Sequence, residues 1–213
     1  MNDSRTILSL VLSMLVVAVP ALGQTDVEVR LIPQTSATTN NPPNPLETET
    51  LGPDTLTIGP GDPFVIEVWV SDVADDGQVR GITGAFVDIT WDLPLAEAGP
   101  IVDFVNHDFP YWLFQEGTSD NPNRTVWNFG GNTVDLCGYG LDPNWVRVGF
   151  VNFTATGPGF IHFDASMGLG GIGVYGDVPG EIEFHGTCHV LSPEPASLVL
   201  LALGGLLVTR RRR

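Results

Sequence analysis

Apolar and polar residues alternate with a period of two along the middle of the chain. Val27, Val29 and Leu31 are interleaved with Glu28 and Arg30, and Phe64, Ile66, Val68 and Val70 share a face opposite Glu67 and Ser71. In Gly84 to Asp92, Ala85, Val87, Ile89 and Trp91 lie on one side, Asp88 and Thr90 on the other. Ile161, Phe163 and Ala165 oppose His162 and Asp164, and residues 181–190 place Ile182, Phe184, Cys188 and Val190 inward with Glu181, Glu183, His185 and His189 outward. One apolar and one polar face per segment predicts half-buried antiparallel strands. Between Val146 and Ala155 the apolar set slips from even (Val146, Val148, Phe150) to odd positions (Val151, Phe153, Ala155). A slip of one residue turns every side chain to the other face, so a β-bulge near Phe150–Val151 is expected. No window outside the termini repeats at 3.6 residues. With 25 Gly and 17 Pro as punctuation, the expected fold is all-β, a two-sheet antiparallel sandwich of the jelly-roll kind. Residues 34–44, rich in Thr, Asn and Pro, read as a loop or linker.

The two ends follow a different pattern. In residues 1–23, Arg5 precedes an apolar stretch from Ile7 to Leu22, and Ala21 and Gly23 are small residues at the −3 and −1 positions of a cut before Gln24. This predicts a cleaved secretory signal peptide, with export through the Sec machinery. At the other end, residues 196–209 form an apolar run followed by Arg210, Arg211, Arg212 and Arg213. As a helix the run is roughly 21 Å long at about 1.5 Å per residue, short of the roughly 30 Å hydrocarbon core, so its flanks must adapt. The Arg cluster keeps the C-terminus cytoplasmic and everything before it outside. The expected organisation is therefore a signal peptide over 1–23, a β-sandwich domain over 24–191, and a C-terminal sorting segment over 192–213 with a transmembrane helix at 196–209.

Pro193-Glu194-Pro195, the short apolar helix and the terminal Arg cluster, in that order, resemble the PEP-CTERM sorting signal of exported bacterial proteins. That resemblance covers about 22 residues. It implies transient handling by exosortase, a membrane protease-transpeptidase, membrane attachment through the C-terminal helix before processing, and a final place in the envelope or extracellular matrix, often beside exopolysaccharide. It implies no activity.

Charge removes whole classes of partner. The nine basic residues are all Arg, and residues 24–191 carry four of them against 23 carboxylates, a balance of −19. Such a surface repels nucleic acid and anionic lipid headgroups. Hydrophobic residues at 43%, with 11 Phe and 5 Trp, are too many for a disordered acidic tail and require a packed core.

A second resemblance lies inside the domain. Pro60-Gly61-Asp62-Pro63 leads into the strand from Phe64. Gly81-Ile82-Thr83-Gly84-Ala85-Phe86-Val87-Asp88-Ile89-Thr90-Trp91-Asp92 follows, and Gly157-Pro158-Gly159 comes late, between two strands. This order is similar to cohesin-type domains over about half of the mature chain. It implies a nine-stranded jelly roll and a non-catalytic module that binds protein; Phe104 to Gly140 departs from the pattern.

The candidate chemistry is sparse. Cys137 and Cys188 are the only cysteines, and in an exported chain they are expected to pair as a disulfide, contributing roughly 4 kcal/mol for a loop of about 50 residues. Asp72, Asp75 and Asp76 before Gly77 form an acidic loop that is either a solvated turn or a structural calcium site; the spacing is not that of an EF-hand. No other cofactor is expected. His185 and His189 on one strand face are about 13 Å apart at 3.3 Å per residue, too far to share an ion. Phe109, Tyr111, Trp112, Phe114 and Trp127 concentrate aromatic surface; they fill a core, or Trp112 and Trp127 stack on sugar rings. Glu181 and Glu183 read as a solvated face, and Gly168 to Gly173 lacks the lysine and helix of a phosphate loop. The expected role is a non-catalytic binding module for an envelope protein. A carbohydrate-binding module and a passive exopolysaccharide-matrix component are the alternatives.

Overall fold

The computed structural model describes residues 25–37, 46–47, 51–72, 81–102, 105–107, 112–133, 144–174, 179–185 and 188–193. These form twelve strands: β1 (Thr25–Gln34), β2 (Leu46–Glu47), β3 (Thr55–Thr57), β4 (Pro63–Asp72), β5 (Ile82–Trp91), β6 (Ala96–Ala98), β7 (Trp112–Asp120), β8 (Thr125–Thr133), β9 (Asn144–Ala155), β10 (Gly159–Val174), β11 (Pro179–His185) and β12 (Cys188–Ser192). The first sheet runs β11-β1-β4-β9-β2, with β6 also paired to β9, and the second runs β3-β12-β10-β5-β8-β7. No helix occurs among the described residues, so none there is long and apolar enough to cross a membrane. The chain is a two-sheet β-sandwich.

The alternating sets meet between the sheets. Val27, Val29, Phe64, Ile66, Val68, Ala85, Val87, Ile89, Ile161 and Val190 are all within one core cluster. At its centre Phe153 stacks on Phe64 at 5.4 Å between ring centroids and takes the edges of Trp91 at 5.3 Å and Phe163 at 5.1 Å. Burying each such side chain contributes on the order of 1.5–3 kcal/mol. Gly61 turns the chain into β4 with φ of 89°, a conformation glycine adopts without strain. Asp62 closes the same turn by accepting the Gly59 N–H at 2.7 Å.

Three features depart from the expectation. Most pairings are antiparallel, but β1 pairs β11 and β3 pairs β12 in parallel. Each parallel pair joins strands far apart in sequence, which leaves the long connection a parallel pairing needs. The stretch 181–190 is not one strand: β11 belongs to the first sheet and β12 to the second, and the change of sheet falls across residues 186–187, outside the described residues. A crossing strand keeps the same inward set, because both sheets face one core, so alternation alone does not reveal it. The slip in β9 is present two residues earlier than expected: Val68 faces Gly149 but Trp69 faces Arg147, leaving Val148 as the extra residue. Glycine explains the position. The Gly149 backbone is crossed by the Asn106–His107 segment, where a Cβ would meet the Asn106 carbonyl oxygen.

Candidate functional site

The two sheets present outer faces of opposite kinds. On the first sheet, the charged residues expected to face water midway along β4 and β9 are covered. Glu67 is 1% and Arg147 3% exposed, and their ion pair is 2.5 Å long. Glu67 also accepts the Trp69 indole N–H at 3.1 Å, and the Arg147 guanidinium lies 5.4 Å from the Phe150 ring centroid. Beside this pair Ile32, Trp69 and Trp145 form a second buried cluster with Leu51 packed against it. A buried charge is tolerated only when paired and hydrogen-bonded, and this face meets that condition internally.

At the edge of the same sheet the polar residues stay exposed. The register sets Glu28 beside Glu183 and Arg30 beside His185. His185 Nε2 lies 2.9 Å from Glu183 Oε2 and 3.5 Å from Glu28 Oε1, while Arg30 donates to Glu28 Oε2 at 3.3 Å.

The outer face of the second sheet is open and carries apolar side chains. Phe160 and Leu191 are cross-strand neighbours, 40% and 37% exposed, next to the directly opposed pair His162 and His189. The rings of Phe160 and His189 stack at 4.9 Å, and His162 meets His189 edge-on at 4.6 Å. Toward the other edge, β8 bulges: Val87 faces Phe129 and Ile89 faces Val126, so Trp127 and Asn128 together oppose Asp88. Asn128 takes φ of 51°, its N–H donates to Asp88 Oδ1 at 2.7 Å, and its amide donates to Glu116. The bulge turns Trp127 outward, 47% exposed, with its indole N–H directed to Asp120 at 3.4 Å. A hydrogen bond from the Asn123 side chain holds the Asp120 carboxyl below its ordinary pKa, keeping that acceptor ionised.

The glycine-rich stretch of β10 has a role the sequence did not disclose. The β10–β5 ladder breaks between Met167 and Ile172, so residues 168–171 arch over Phe86. Phe86 sits on the outer face yet is only 6% exposed, and a Cβ at Gly170 would run into its ring. The Gly170 N–H donates to Asn128 Oδ1 at 2.9 Å, tying this arch to the β8 bulge. Leu169 stands at the crest, 99% exposed, with Met167 beside it at 49%. Trp127 and Leu169 thus add to the apolar character begun by Phe160 and Leu191, whereas Met167, opposite Val87, belongs to the inward set of β10.

Cys188 is fully buried in the core, and burial pushes its thiol well above the ordinary range; no disulfide occurs among the described residues, and Cys137 lies outside them. Asp72 ends β4, while Asp75 and Asp76 lie outside the described residues. Trp112 opens the edge strand β7 opposite Thr133. The signal peptide with Ala21, Gly23 and Gln24, the motif residues Glu194 and Pro195, the apolar helix and Arg210 to Arg213 also lie outside; Pro193 is the last described residue before them. His185 and His189 do not share a strand face, since they sit in different sheets. A cavity of about 300 Å³ beside β4 and β9 is lined by Thr35, Ser36, Val65, Phe150, Asn152 and Thr154 among others, and contains no carboxylate, imidazole or thiol.

No protein-family model and no curated protein matches the chain. Solved structures of similar outline are cohesins. The seventh ScaB type I cohesin from Pseudobacteroides cellulosolvens is 12% identical, with 79% of this chain and 94% of that one covered and a TM-score of 0.45. CaCohA2 from Clostridium acetobutylicum is 12% identical over 82% and 95%, with a TM-score of 0.48. The sixth cohesin from scaffoldin B of Acetivibrio cellulolyticus, solved in complex with a Cel5 dockerin, is 13% identical over 80% and 100%, with a TM-score of 0.47. This is a likeness of outline at low identity. The case for function rests on the chain's own surfaces.

Proposed function

We propose that this chain is an exported envelope protein whose sandwich is a non-catalytic protein-binding module, docking through the outer face of the second sheet. The observation that carries the reading is the set of exposed apolar side chains Phe160, Leu191, Leu169 and Trp127, on a sandwich whose other face buries its own Glu67, Trp69 and Arg147. Aromatic and aliphatic anchors on an otherwise acidic surface favour a partner with an apolar centre and a basic rim. In this reading the signal peptide is removed before Gln24, and exosortase processes the chain at Pro193-Glu194-Pro195 after membrane attachment through residues 196–209. Cys137 and Cys188 are bridged in the mature protein, whose non-reduced mass is then lower than the reduced mass by two hydrogens.

Immobilised mature protein should retain a saturable partner from envelope extract. Trp127→Ala combined with Phe160→Ala should weaken retention at least about tenfold, and unchanged retention in that double variant overturns the reading. One observation favours a second reading, a carbohydrate-binding module: the Trp127 indole is exposed, with its N–H directed to Asp120. Saturable binding to an exopolysaccharide affinity gel, abolished by Trp127→Ala alone, would decide for it. A passive matrix role predicts neither result and only an altered biofilm texture on deletion.

A further inference from the structure

The geometry points to a divalent transition-metal site on the outer edge of the first sheet, formed by Glu28, Glu183 and His185. The sequence places these residues 155 positions or more apart in chain order on one side and within one short strand on the other. The parallel pairing of β1 with β11 brings them together, because Glu28 falls beside Glu183 and His185 lies one step further on the same outer face. One ligand atom from each, His185 Nε2 and a carboxylate oxygen from each Glu, lies within 4.8 Å of the other two.

The separations suit an ion. Ligands about 2.1 Å from a tetrahedral metal stand about 3.4 Å from one another. His185 Nε2 is 3.5 Å from Glu28 Oε1 and 2.9 Å from Glu183 Oε2, and the two carboxylates are within 4.8 Å of each other, so the half-exposed Glu183 and His185 side chains need shift only locally to seat an ion. Arg30 does not occupy the position: it donates to Glu28 Oε2, which leaves Oε1 turned to His185 and fixes the carboxylate by an outer contact. Two carboxylates and one Arg leave a local charge of −1 that attracts a cation, on a chain whose overall balance of −16 does the same. One imidazole and two carboxylates, with water completing the shell, is a donor set for zinc and its first-row neighbours rather than for calcium, which takes six to eight oxygens. A bound ion would clip β11, an edge strand, to β1.

The test is Zn²⁺ titration of the mature protein against a chromophoric chelator, with the thermal midpoint measured in parallel. The expected result is one saturable site per chain and a rise in midpoint with Zn²⁺, as for any ligand that binds only the folded state. Glu183→Gln and His185→Asn should each weaken binding at least about tenfold and remove the rise in midpoint, while leaving the metal-free midpoint close to that of the parent, since both side chains are about half exposed. A His162→Asn, His189→Asn variant, which removes the opposed histidines of the second sheet, should bind Zn²⁺ as the parent does. Absence of binding in competition with the chelator, binding unchanged in His185→Asn, or binding lost only in the His162, His189 variant would each overturn the assignment.

Discussion

Trp145 on the outer face of the first sheet is fully buried, whereas Trp127 on the outer face of the second is 47% exposed. Both sit in strands that alternate apolar and polar residues. The first face is filled by the Glu67–Arg147 pair, Trp69, Ile32 and Leu51. On the second, the glycine arch of β10 covers Phe86. The middle of the first sheet satisfies its own outer charges and aromatics and offers no exposed aromatic anchor there. The second sheet exposes Phe160, Leu191 and Trp127 between polar neighbours.

The comparison is broken most severely at Arg147. Arg147→Met leaves Glu67 buried without its guanidinium and should destabilise the fold by about 3–5 kcal/mol in denaturant unfolding. Glu67→Gln combined with Arg147→Met should recover part of that loss, since no uncompensated charge then remains buried. Trp145→Ala should cost about 3 kcal/mol through the cavity it leaves. The matching change on the open face, Trp127→Ala, should move stability by less than about 0.5 kcal/mol while removing the partner affinity proposed for that face. A loss at Trp127 as large as at Trp145 would show that the two faces do not differ as described.

The smallest effect concerns Cys188. Burial, helped by Asp54 and Asp164, raises its thiol pKa above the reference value of 9.0. In protein reduced at both cysteines the folded state therefore holds this proton longer than the unfolded state. The resulting stability is complete below about pH 9 and falls as pH rises beyond it. A thiol reagent should accordingly leave Cys188 unmodified at neutral pH until denaturant is added.

Alternation and punctuation predicted the sandwich because burial on one face of a strand fixes register strongly. The inward positions of β1, β4, β5, β12 and the first half of β10 were legible in that way, whereas Ile172 and Val174 beyond the glycine arch were not. What lay on the outward face was not, because a polar residue there reads as solvated whether or not something covers it. Glu67 and Ser71 were read as the polar side of β4, and both are buried. The one available signal was the Arg in β9, since Arg147 is among only four basic residues between positions 24 and 191. The β11–β12 crossing was invisible for a related reason, and with it the meeting of His185 with Glu28. Pairing between strands 155 residues apart leaves no local trace.

The most direct test is oxidative footprinting of the tryptophans, on purified mature protein and on the protein in its native envelope. In the purified protein Trp127 should be modified readily, with Trp69 and Trp145 protected; in the envelope Trp127 should become protected as well. Modification of Trp69 or Trp145 in the folded protein, or equal modification of Trp127 in both settings, would contradict a closed first face and an occupied second one.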